Sequence, residues 1–143
     1  IYTFIKRTAP FAMITTFDGP SGEACIARRN RSNTPLQALT LLNDPMFIDL
    51  AQASGRNLVQ LSNADDQTRV VHLFRSLLTR SPDENEVAAL LEFVARHREK
   101  FTANPDLAKQ MAGEATASTI SEVATWAAVS RAVFALDEVV MRP

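Results

Sequence analysis

From Thr34 onward, apolar residues recur every three or four positions, and the polar residues interrupting them are those that start helices. Thr34-Pro35 with Gln37 three residues after the threonine forms a capping-box start, and the spacing predicts a helix over 35–43. Asp44-Pro45 starts a second, over about 45–62, with Phe47, Leu50, Ala51, Leu58 and Leu61 on one face. Gly55 in its middle either weakens it or lets a neighbour approach closely. After the break Asn63-Ala64-Asp65-Asp66, a third helix over about 66–80 places Val70, Val71, Phe74, Leu77 and Leu78 inward. Ser81-Pro82-Asp83-Glu84 reads as a second capping box, with Ser81 as cap and Glu84 third, opening a helix over about 82–102 that carries Val87, Leu90, Leu91, Val94 and Phe101. Asn104-Pro105 starts a short helix to about 112, and a last one over about 121–141 carries Val123, Trp126, Ala127, Val133 and Phe134.

The first 33 residues differ. They hold Pro10, Pro20, Gly19 and Gly22 and no sustained period. The expected fold is therefore all-α: a compact array of five to six helices with a long irregular N-terminal arm. Residues 1–143 read as one domain, with 1–33 the basic arm and 34–143 the helical body. The chain opens at Ile1 in mid-pattern, as a fragment of a larger protein would. The arm's apolar residues, Ile1, Tyr2, Phe4, Ile5, Phe11, Met13, Ile14 and Phe17, are too many for a solvated tail. They imply docking on an upstream region or self-association of the fragment.

Charge sharpens this division. The arm carries five basic and two acidic residues, net +3, and residues 34–143 carry ten against fourteen, net −4. The total of −1 gives no general attraction to nucleic acid, and neither a long basic helix nor an aromatic platform accompanies the arginines. No apolar run is long enough to span a bilayer. A lone Cys25 cannot form a disulfide within the chain.

Catalytic motifs are not evident. His72 and His97 lie far apart with no metal-ligand spacing, and Cys25-Ile26-Ala27-Arg28 is neither a zinc nor a haem sequence, so no metal or cofactor is expected in this fragment. Gly19-Pro20-Ser21-Gly22 lacks the spacing of a nucleophile elbow and reads as a tight turn. The strongest candidate is the cluster Arg28, Arg29 and Arg31 ahead of a helix N-terminus, which suits an anion. The competing reading ties these arginines to Asp18, Glu23 or Asp44 within the fold. Asp137 follows an apolar stripe and points inward on the helical period, so it needs a partner, which one of these arginines supplies.

The stretches Tyr2-Thr3-Phe4-Ile5-Lys6-Arg7-Thr8-Ala9-Pro10, Phe17-Asp18-Gly19-Pro20-Ser21, Arg29 and Arg31 leading into Asn33-Thr34-Pro35-Leu36-Gln37-Ala38-Leu39, and Leu41-Leu42-Asn43-Asp44-Pro45 together resemble the planctomycete-specific PSD-one family, domain of unknown function fifteen-fifty-three. The likeness continues through Phe74-Arg75, Arg80, Pro82 and Glu86 to Leu136-Asp137-Glu138, and departs from the family pattern at Gly22, Ala135 and Val139. It implies the C-terminal part of a domain in a large exported protein, periplasmic or extracellular. Haem, where present, would sit in a separate upstream cytochrome-c-like domain. The partners it implies are the upstream domains of the same protein.

These readings converge on a structural or interaction domain. The alternative is that the arm contributes Asp18, Glu23, Arg28, Arg29, Arg31 and Asn33, with Asp44 and Asp137 behind them, to an anion- or sugar-binding site shared with missing upstream domains. No catalytic residue follows from either reading, so enzymatic activity stays open.

Overall fold

The computed structural model describes residues 10–20, 25, 27–28, 32–62, 64–116 and 119–140. Among these the chain is all-α. Its helices are α1 (Ala12–Thr16), α2 (Pro35–Asn43), α3 (Pro45–Gln60), α4 (Asp66–Leu78), α5 (Glu84–Ala103), α6 (Pro105–Ala112), α7 (Ile120–Phe134) and α8 (Asp137–Val140). The chain divides into two units, Ile1–Thr40 and Leu41–Pro143.

The second unit is organised around α7. Every residue from Val123 to Ser130 is buried, as are Val133 and Phe134. A helix buried around its circumference over this stretch must be enclosed, and α3, α5 and α6 enclose this one. α3 meets it along Ala51, Gly55 and Leu58, all buried. Leu58, Val70, Leu73, Phe74, Val94, Trp126, Val129 and Val133 form one core cluster. Phe101, Ala108 and Ala112 pack with Val123, Ala124 and Ala128 in another. Two buried hydroxyls find partners, Ser130 on Ser54 at 2.9 Å and Thr125 on the Ser121 carbonyl at 2.8 Å. The Trp126 indole N–H is fully buried without a hydrogen-bond partner among the described residues, and the Arg69 guanidinium lies 5.9 Å from its ring centroid. No helix among the described residues is long and apolar enough to cross a membrane.

Four expectations change. The arm is not wholly irregular, since α1 forms within it. Leu50 is 49% exposed, because the close crossing with α7 selects the small residues Ala51 and Gly55 for the buried face and turns the bulkier side chain outward. The cap of α5 is Asp83, not Ser81: its carboxylate accepts from Glu86 N–H at 2.8 Å, and Glu86 accepts from Asp83 N–H at 2.7 Å. A carboxylate accepts more strongly than a hydroxyl, and Arg80 also holds Glu86, which moves the helix start two residues on. The last helix breaks at Ala135 and Leu136. There the Leu136 N–H donates to Val133 three residues back, tightening the turn before α8 begins.

Candidate functional site

In the first unit, α1 ends with Asp18 at φ 55° and the Gly19 N–H bonded to the Ile14 carbonyl at 2.6 Å. That six-to-one bond closes a helix C-terminus around a left-handed residue, a place an aspartate tolerates better than most. The turn aims the Asp18 carboxylate at Ser32, whose N–H and Oγ both donate to Asp18 Oδ2 at 2.7 Å.

Gln37, only 4% exposed, joins this pair to the start of α2. Its Nε2 donates to the Thr16 carbonyl at 2.9 Å, to Ser32 Oγ at 3.1 Å and to Asp18 Oδ2 at 3.4 Å. Its Oε1 accepts from Thr34 N–H at 3.1 Å, while the Gln37 N–H donates to Thr34 Oγ1 at 3.3 Å. The two ends of a 14-residue excursion are thus tied through one glutamine side chain and one carboxylate. Ser32 Oγ is committed on both sides, donating to Asp18 Oδ2 and accepting from Gln37 Nε2. The arrangement orients backbone at both ends of the tie.

The remaining residues proposed from sequence are dispersed in role. Asp44 caps α3, accepting from Met46 N–H at 2.9 Å. Arg28 and Asn33 are exposed. Glu23, Arg29 and Arg31 lie outside the described residues. Asp137 is exposed in the first turn of α8, which corrects its expected inward position: the break after α7 shifts the helical phase by which it was placed. His72 is exposed, and His97 is half-buried, its Nδ1 3.0 Å from the Phe93 carbonyl and its ring stacked 3.9 Å from that of Phe93.

Two arginine hubs in the second unit were not assigned from sequence. Arg98 of α5 grips Asp66 at 2.8 and 3.0 Å and Glu122 at 2.6 and 3.0 Å, joining α4, α5 and α7. These bonds hold the Asp66 carboxyl below its ordinary range. Arg80 follows Thr79, a left-handed residue at φ 62° that closes α4. It binds Glu86 at 2.8 and 2.7 Å and Glu138 at 2.8 and 2.7 Å, and its guanidinium lies 4.9 Å from the Phe74 ring centroid. Arg80, foremost, and then the Asp83 N–H lower the Glu86 carboxyl to about 2. The spacing Arg80-x-Pro82 then Glu86, and the acidic pair ending the chain's helical pattern, were the available signals. Among the described residues Glu138, not Asp137, is the member with an arginine partner. A third arginine, Arg131, donates from Nη2 to the Leu42 carbonyl at the end of α2 and lies 3.8 Å from Met111 Sδ through Nη1.

The sequence profile of a family described as protein of unknown function (DUF1553) matches residues 1–94. No curated protein and no solved structure matches the chain.

Proposed function

The chain belongs to the DUF1553 family of proteins of unknown function, and from that premise we propose that it is a structural and interaction domain of a larger exported planctomycete protein, docking on upstream domains of the same polypeptide through the outward face of α2. One observation carries the reading. α2 contains no charged residue, and it exposes Leu36 by 60% and Leu39 by 56% while Gln37 and Leu41 are buried on the opposite side. A helix with apolar residues on both sides is suited to being covered on both. The polar constellations support the same reading. The Asp18–Ser32–Gln37 tie, the Arg98 hub and the Arg80 hub each join separate segments of the fold. Export, and haem in a separate upstream domain, rest on the resemblance of the arm and the α2 start to the family.

The test uses the full-length protein split before this chain, with the two pieces co-expressed and purified through the upstream one. The chain is expected to co-purify, and the double variant L36D/L39D to be lost from the complex while keeping the helical circular dichroism of the wild type. Equal retention of both, or retention of neither, overturns docking through α2. Saturable binding of sulfate or phosphate by the chain, lost in R28A, would instead favour the anion-binding arm.

A further inference from the structure

We propose that α8 is a detachable strap, fastened by the exchangeable ionic clasp between Glu138 and Arg80. The inference is independent of the docking reading. α8 is four residues long and contains no buried residue, and the chain is already interrupted before it at Ala135 and Leu136. A helix of one turn is not stable by itself in water. Val139 and Val140 are only half-buried, and the polar fastening is a fork: Arg80 Nε and Nη2 donate to the two oxygens of Glu138 at 2.8 and 2.7 Å, with the side chains 39% and 40% exposed.

The hub is asymmetric. Glu86 shares the same guanidinium but is also anchored by the Asp83 N–H at 2.7 Å as part of the α5 capping box. Glu138 has no comparable second bond among the described residues. Arg80 stays compensated by Glu86 and seated over Phe74 when Glu138 leaves. Opening therefore strands no buried charge, the circumstance that makes most paired arginines hard to release. The two carboxylates repel one another across the shared cation, and the departing one is the less anchored. At 1 M salt the screening length falls to about 3 Å, so an exposed pair of this kind loses most of its attraction while the packed core does not.

Backbone amide relaxation on the 143-residue chain tests this. In low salt, the order parameters of Val139 and Val140 are expected near the rigid value of about 0.85, and in 1 M salt or in E138Q below about 0.6. Trp126 and Val129 of α7 are expected to stay rigid throughout. D137N, which changes the neighbouring acid and leaves the clasp intact, should match wild type. Val139 and Val140 remaining rigid in salt and in E138Q would overturn the proposal, and so would loss of order in α7 together with α8. If E138Q does not fold, the clasp is integral to the unit and the proposal fails; the salt series on the wild-type chain gives an independent reading.

Discussion

Gly55 of α3 lies directly against the backbone of Ala127 of α7: a Cβ placed on Gly55 would stand 2.8 Å from the Ala127 nitrogen and 2.8 Å from the Val123 carbonyl oxygen. These are main-chain atoms of the most buried helix in the unit, and no side-chain rotation can move them. The replacement G55A raises helix propensity by about 1 kcal/mol but forces the two helices apart. Overpacking of this kind costs about 1–3 kcal/mol. G55A is expected to lower the urea midpoint with an unchanged slope, and a midpoint at or above the wild-type value would show that the helices separate freely.

The Gln37 tie makes a sharper case of charge. In Q37E the donor Nε2 becomes an oxygen facing the Thr16 carbonyl and the Asp18 carboxylate, both of which now accept its hydrogen bonds. Two donor contacts turn into repulsions. Leaving such groups unpaired costs about 1–3 kcal/mol at neutral pH. Protonation of the new carboxyl restores a donor, so the deficit should shrink as pH falls toward 4, where an ordinary glutamate titrates. Proteolysis at residues 32–34, compared at pH 7 and pH 4.5, reads this directly. A Q37E chain as resistant as wild type at pH 7 would remove Gln37 from its role.

Acid should loosen the second unit through its arginine hubs. Hydrogen bonds from Arg98 lower the Asp66 carboxyl, and Arg80 followed by the Asp83 N–H takes Glu86 from 4.5 to about 2. A carboxyl with a depressed folded pKa contributes stability above its unfolded value and loses it as pH falls through the folded one. The loss therefore begins below about pH 4.5 and continues to about pH 2. In R98M Glu122 loses its arginine and Asp66 keeps only the longer ion pair with Arg69 at 3.7 Å. About 1–2 kcal/mol should be lost at pH 7, with a flatter decline on acidification. Thermal melts of both proteins between pH 7 and pH 2.5 check the sign, and parallel declines would separate Arg98 from the acid response.

Helix starts were legible because each rests on local chemistry: Thr34 with Gln37, Asp44 ahead of Pro45, and the apolar period behind them. Gly55 was legible as either a weak point or a close approach, although not as which of the two, nor which helix it meets. The cap of α5 was misplaced by two residues because Ser81 and Asp83 both fit the local pattern, and the choice depends on Arg80, which also reaches Glu138, 58 positions away. Asp137 was misassigned for a related reason. A continuous period through 121–141 places it inward, but the turn at Ala135 and Leu136 resets the phase and hands the arginine contact to Glu138. Ser32, which both accepts from Gln37 and donates to Asp18, carries no signal of its own in the sequence.

The family match ends at residue 94, within α5, yet the core of α3, α4 and α5 closes only on α7. Val123, Trp126, Val129 and Val133 are buried there, at 3%, 0%, 0% and 1% exposure. At about 1.5–3 kcal/mol for each large side chain withdrawn from water, these four contribute on the order of 6–12 kcal/mol, comparable to the whole stability of a typical domain. A chain ending at Val94 is therefore expected to lack a cooperative thermal transition. One ending at Phe134 keeps α7 and loses residues 135–143, in which α8 has no fully buried residue, so it should melt cooperatively within a few degrees of the 143-residue chain. Circular dichroism melts of the three lengths decide the matter. A cooperative transition in the shortest would mean that the stretch shared with the family folds without α7, and that α7 is an addition to its core and not the element that completes it.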